Sequence, residues 1–126
     1  CVFGMTGGQM SPTTLQGQIT TSSPGGKSME SGGGTLDVIR LLSTMDIAYL
    51  ARGAVCDSAN IRKTKKYIKR AMEKQLHKEG FGLVEILSPC PTNWKMTPVR
   101  CMEHIKEQIL PVFPVGEFIG KEGESV

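Results

Sequence analysis

No CxxC pair joins any of the four cysteines, which stand at Cys1, Cys56, Cys90 and Cys101. That scatter excludes a dense disulfide framework and leaves reduced thiols or a metal ligand as the use of the sulfurs. No apolar run approaches the ~20 residues of a membrane-spanning helix, and no charged segment followed by an apolar stretch marks a secretory signal. The expectation is a cytoplasmic chain with no membrane partner. Neither His77 nor His104 has a partner at metal-ligand spacing, and both are expected on exposed helix surface without a role. A net charge of +3 is mild and decides little about partners. What is present is enough for one domain or part of one: 126 residues, with 15 glycines, many of them ahead of residue 35.

From Cys1 to Gly33 the apolar residues follow neither a strand nor a helix period, so residues 1–34 read as a long glycine-rich binding loop. The chain enters it at Cys1 with nothing ahead to anchor it, which reads as truncation. Residues 35–110 carry the α/β core. A short helix is expected over 35–45 with Thr35 as N-cap, then a buried strand over 47–55 interrupted by Arg52-Gly53. The next helix, 59–79, is capped by Asp57 or Ser58 and shows an apolar stripe of Ile61, Ile68, Ala71, Met72 and Leu76. A strand over 81–88 stops at Pro89-Cys90-Pro91, and Thr97-Pro98 opens a third helix with Val99, Met102, Ile105 and Ile109 inward. Strand, helix, strand is the βαβ pattern of a parallel sheet, with helices on its flanks. Two strands are marginal, so further strands are expected from upstream sequence or a partner chain. The tail, 111–126, leaves Phe113, Val115 and Phe118 to pack on another subunit or on missing parts of the domain. Ligands of open parallel sheets sit outside the carboxyl ends of the strands, which here means residues 52–57 and 88–96.

Two blocks then carry a resemblance. Gly4-Met5-Thr6-Gly7-Gly8-Gln9-Met10-Ser11-Pro12-Thr13-Thr14, followed by Leu87-Ser88-Pro89-Cys90-Pro91-Thr92-Asn93-Trp94, resembles the β subunits of 2-oxoacid:ferredoxin oxidoreductases, particularly those for 2-oxoglutarate and 2-oxoisovalerate. The resemblance runs from Cys1 to about Phe118 and implies the C-terminal portion of a thiamine-diphosphate-binding α/β fold. It implies oxidative decarboxylation of a 2-oxoacid to an acyl-CoA, with electrons leaving through a [4Fe–4S] cluster to ferredoxin. Partners would be an α subunit, with γ and δ subunits as further candidates, besides coenzyme A and the 2-oxoacid.

By the same resemblance the carbonyl of Val2 is a Mg²⁺ ligand, and Phe3, Gly4, Met5, Thr6, Gly7 and Gly8 border the thiamine diphosphate. The remaining Mg²⁺ side-chain ligands of the family have no counterpart in this chain, so the fragment is expected to be inactive alone. Related enzymes place a Lys where Gly7 stands, which leaves the identity of the 2-oxoacid open. Cys90 matches the cysteine that completes the cluster, whose other three ligands lie upstream in the family. Cys101 reads as a core thiol, Cys56 has no assigned role, and no residue stands out as a catalytic acid or base. The basic run Arg62 to Arg70 offers the alternative of a nucleic-acid-binding or non-enzymatic interaction module. An amphipathic helix with its charges in solvent explains that run more simply, so no nucleic-acid partner is expected.

Overall fold

The computed structural model describes residues 1–121. At its centre lies β3 (Tyr49–Ala54), all six residues buried, because a neighbour lies along each edge and helices cover both faces. One neighbour is β4 (Gly82–Leu87), parallel and in register from Tyr49 opposite Gly82 to Ala54 opposite Leu87. Between them runs α3 (Ser58–Leu76), started by Asp57, whose carboxylate accepts from the Asn60 amide at 2.8 Å. That amide bond leads the effects that pull the Asp57 carboxyl down to about 2. The βαβ unit is therefore present.

The helix meets the sheet through a face that hydropathy does not predict. Tyr67 and Ala71 pack on Tyr49, Ala51 and Val84 and Thr64 sits against Gly53 and Ala54, while Met72 and Leu76 are 63% and 78% exposed and Ile61 and Ile68 stand at the surface. The expected stripe thus faces outward, Ala71 excepted. Two features turn the helix: Thr64 Oγ1 accepts from the Ala54 amide at 3.0 Å, and Gly53 leaves the space that Thr64 fills. A Cβ on Gly53 would fall 2.8 Å from that of Thr64, so a hydroxyl and a missing side chain set the contact. Arg70 also leaves the solvent side expected for it, pairing with both carboxylate oxygens of Glu117.

The opposite face is closed by α5 (Pro98–His104), whose last turn widens into a π-helical segment, Ile105–Ile109. Thr97 caps α5 and Pro98 takes its first position, as expected. Cys101, Ile105 and Ile109 follow one another at four-residue steps and point inward; Val99 is 67% exposed and Met102 also reaches the surface. The expected inward roles of Val99 and Met102 therefore fail, because they lie off that line. Ile105, Ile109, Leu87, Ala54, Cys56 and Phe113 form this second core.

Phe113 belongs to the chain's own core at 2% exposure, and the segment after it forms β5 (Gly116–Ile119), antiparallel to β3. The third strand comes from the tail, not from upstream sequence or another subunit. The sheet is accordingly mixed, in the order β4-β3-β5. Tyr49 donates to Glu117 at 2.8 Å, so the carboxylate that anchors Arg70 also ties β5 to the central strand. Residues 122–126 of the expected tail lie outside the described residues.

Ahead of the core, α2 (Val38–Leu42) is capped by Asp37, while Thr35, expected as cap, donates to the Thr14 carbonyl at 2.9 Å. The N-terminal segment holds a small hairpin of β1 (Val2–Phe3) and β2 (Gln9–Met10), and one helical turn, α1 (Met29–Gly32). Its anchor is the buried Lys27, whose Nζ donates to the carbonyls of Pro12, Thr14 and Gly34 at 3.2, 3.1 and 3.1 Å. A segment with so few helix and sheet hydrogen bonds must satisfy its other buried carbonyls in some such way. Lys27→Met is expected to cost about 1–3 kcal/mol, because the Gly34 carbonyl loses its donor while Thr14 keeps Thr35 and Pro12 keeps the Leu36 amide. An unchanged urea midpoint for that variant would refute the anchor.

Candidate functional site

The glycine-rich block and the Ser-Pro-Cys-Pro block, whose Gly4 and Cys90 are 86 residues apart (90 − 4), meet in space. The loop after β4 carries Cys90 at the start of a single helical turn, α4 (Pro91–Trp94). Asn93 Nδ2, projecting from that turn, donates to the Gly4 carbonyl at 2.8 Å and to Cys90 Sγ at 3.1 Å. Sequence reading gave Asn93 no role; its only signal was its place three residues after Cys90, the spacing at which one helical turn returns to the same face. The approach is close enough to demand glycine. A Cβ on Gly4 would lie 3.1 Å from Cys90 Sγ, and one on Gly8 would lie 2.8 Å from three atoms of Asn93.

A cavity of about 330 Å³ opens beside this contact, at the carboxyl end of β4, and Val2, Gly4, Ser88, Cys90 and Trp94 are among its walls. The structure thus gathers Val2, Gly4, Gly8 and Cys90. It leaves Phe3, Met5, Thr6 and Gly7 on the exposed side of the hairpin, where Thr6 Oγ1 and Gln9 Oε1 stand 2.8 Å apart. Gly7 and Gly8 make the turn, with φ of 118° and 79°.

The other sulfurs differ from Cys90. Cys56 and Cys101 are buried, and burial pushes both thiols above their ordinary range, which suits packing and not ligation. Among the described residues no three His, Cys, Asp or Glu side chains stand together as a metal site. Cys90 and Cys1 both line the cavity, and together they are too few to make a metal site by themselves. His104 is not the free surface histidine expected. It is half-buried against Trp94, ring centroids 5.0 Å apart in an edge-on arrangement, and burial holds its imidazole below the usual pKa.

Gly8→Ala tests the contact, with Gly17→Ala as a matched control, because Gly17 has a φ of 77° and no atom within 4 Å of its added Cβ. Both changes force alanine into left-handed backbone, but only the first meets Asn93. Gly8→Ala is expected to cost about 1–3 kcal/mol more than the control and to speed hydrogen exchange across the hairpin. Equal costs would mean that Asn93 yields freely.

A mixed α/β sheet with helices on both faces, and a cysteine-bearing loop locked to a glycine-rich hairpin beside a cavity at a strand's carboxyl end, define the class as an α/β module. Comparison with known proteins gives the class a family. The chain is 39% identical over 125 residues to the ketoisovalerate oxidoreductase subunit VorA of Methanothermobacter marburgensis, covering 98% of this chain and 26% of that protein. It is 30% identical over 106 residues to the 2-oxoglutarate synthase subunit KorB of Archaeoglobus fulgidus, covering 84% of this chain and 36% of that one. A 2-oxoacid:ferredoxin oxidoreductase subunit beta of Saccharolobus solfataricus matches at 30% over 91 residues, 72% of this chain and 26% of the relative. No family model and no solved structure matches. The chain belongs to the family of 2-oxoacid:ferredoxin oxidoreductase subunits, and it spans about a quarter to a third of the length of these curated relatives. Among the described residues no helix is long and apolar enough to cross a membrane.

Proposed function

We propose that this chain forms the part of a thiamine-diphosphate-dependent 2-oxoacid:ferredoxin oxidoreductase in which cofactor loop and cluster ligand are held together. The observation that carries the reading is the double hydrogen bond of Asn93, which joins the Gly4 carbonyl to Cys90 Sγ. In this reading Cys90 gives one thiolate to a [4Fe–4S] cluster, and the carbonyl of Val2 gives one oxygen to the Mg²⁺ of thiamine diphosphate. Other parts of the enzyme give the remaining ligands, since Mg²⁺ takes six oxygens and the cluster four thiolates. Bound there, thiamine diphosphate supplies the decarboxylation chemistry and the cluster supplies one-electron transfer. The chain's own share is positioning. Gly4 and Gly8 let the hairpin approach the cysteine loop, Asn93 fixes the sulfur's direction, and the prolines on either side of Cys90 stiffen its backbone.

The substrate class is a 2-oxoacid, 2-oxoglutarate or 2-oxoisovalerate, with coenzyme A as acyl acceptor, ferredoxin as electron acceptor and an α subunit completing the site. The test is the composition of the intact protein purified without oxygen. Thiamine diphosphate, iron and acid-labile sulfide are expected together, with broad visible absorbance that bleaches on addition of the correct 2-oxoacid and coenzyme A. Protein with thiamine diphosphate but no iron would remove the cluster role, and protein with neither would remove the reading.

A further inference from the structure

The sulfur of Cys90 receives a hydrogen bond from a side chain outside its own cavity. Asn93 Nδ2 donates to Sγ at 3.1 Å, yet Asn93 is not among the described residues that wall the space of about 330 Å³ beside that sulfur. The cavity side of Sγ is thereby left to an iron atom. We infer that Asn93 is a positioning residue that raises the reduction potential of the [4Fe–4S] cluster proposed on Cys90. This role rests on the proposed ligation by Cys90 and goes beyond it, to the energy at which the cluster accepts an electron.

Three features hold the amide in place for it. The Gly4 carbonyl can only accept, and Nδ2 donates to it at 2.8 Å, so the NH₂ end of the side chain faces this way and has a second N–H for the sulfur. Gly8 packs so closely that a Cβ there would fall 2.8 Å from Cβ, Cγ and Oδ1 of Asn93, which leaves the side chain little room to swing away. Cys90 stands at the N-cap of α4 but makes no side-chain cap bond, so the helix start does not compete for its sulfur.

The surroundings give that one N–H its weight. No Lys, Arg or His side chain among the described residues lines the cavity, and its one carboxylate, Glu85, accepts from Arg52 at 2.6 Å. Ile86, Leu87, Trp94 and Ile109 supply apolar wall, and a hydrogen bond in such a setting acts more strongly than in water. Reduction places one electron, drawn from the 2-oxoacid as it is oxidised, on the cluster before it passes to ferredoxin; no bond or proton changes at Asn93. The added charge spreads onto the ligand sulfurs. A donor to Sγ therefore stabilises the reduced state more than the oxidised one and shifts the potential upward.

Redox titration of the intact enzyme, purified without oxygen and followed by electron paramagnetic resonance, tests this role. Asn93→Leu keeps the bulk of the side chain and removes both donors. Its iron content should match wild type, while its midpoint potential should fall by the equivalent of a tenfold weaker equilibrium for reduction, about 59 mV for one electron. The sign separates a lost hydrogen bond from a loosened fold, because water admitted to the cluster would favour its more highly charged reduced form and raise the potential. Asn93→Ser, too short to reach Sγ, carries the test if Asn93→Leu fails to assemble. Thr92→Ala, at an exposed position of the same turn, should leave the potential alone. Iron present with a potential unchanged or raised in the Asn93 variants, an equal fall in Thr92→Ala, or loss of the cluster from both Asn93 variants would overturn the role of Asn93 and leave ligation by Cys90 standing. Intact protein without iron would remove both.

Discussion

Cys90→Ala, made in the complete enzyme, is expected to abolish or distort one iron–sulfur centre while thiamine diphosphate remains bound at close to the wild-type amount. The proposed Mg²⁺ ligand from this chain is the carbonyl of Val2, which does not depend on the sulfur. Nor should the loop collapse. Asn93 loses one of its acceptors but keeps the Gly4 carbonyl at 2.8 Å, so hairpin and cysteine loop stay joined. Electron transfer to ferredoxin should therefore fall by orders of magnitude before cofactor binding changes, because a cluster's properties depend directly on its ligands. Cys101→Ala is the control: a fully buried thiol should cost about 1–2 kcal/mol of stability and leave the spectrum alone. Iron content and electron paramagnetic resonance of both variants decide the matter. An unaltered spectrum for the Cys90 variant would reduce that residue to a structural thiol.

Arg52→Met should produce the largest loss of stability of any single change in the core. The guanidinium is 1% exposed, with Nε donating to Glu85 at 2.6 Å, an ion pair to the Asp37 carboxylate, and the Phe113 ring 4.9 Å beneath it. It joins the cap of α2, strand β4 and the start of the tail at one point on the central strand. Removing it leaves two largely buried carboxylates without their cation, for which about 3–5 kcal/mol is the ordinary penalty. That is a large part of the stability of a domain this size.

The pH dependence follows from Asp37. Burial pushes its carboxyl up, but the Arg52 hydrogen bond and charge, with the amides of Ile39 and Arg40, hold it below its ordinary value. A depressed carboxyl contributes stability that is fully present above the unfolded pKa and is lost as pH falls through the folded one. Wild-type protein should thus lose this increment on acidification. In Arg52→Met the same carboxylate is relieved by protonation, so the gap between the two urea midpoints should narrow toward acid pH. A gap that stays constant from neutral to acid pH would show that the ion pair contributes nothing.

The parts of the fold that could be read from sequence are those where local signals agree. Asp57 ahead of a long helix, Thr97-Pro98 and the prolines around Cys90 each act within a few residues, and each stands close to where it was expected. Contacts made over long distances were not legible. The helical stripe containing Met72 and Leu76 is the more apolar face of α3, yet Thr64 wins the contact because Gly53, eleven residues earlier, leaves room for it. Arg52 looked like an interruption of a strand because its two carboxylate partners lie in other elements. The tail gave no strand signal strong enough to set against Pro111 and Pro114, and its place is fixed by the buried Phe113 and by Glu117, bonded to Tyr49 and Arg70. At the site, Cys90 could be found by its motif. Asn93 could not, since its partner Gly4 is 89 residues away.

The strand order β4-β3-β5 also sets a timetable for synthesis. Strand β3 leaves the ribosome before either neighbour exists, and β5 ends at Ile119, 65 residues after Ala54 (119 − 54). At translation speeds of roughly 5–20 residues per second the central strand waits about 3–13 s for its second partner. Throughout that interval one edge of the strand lacks the neighbour that will cover it. Codon usage and chaperone capture over residues 55–119 should therefore govern the yield of soluble protein more than changes upstream of residue 49.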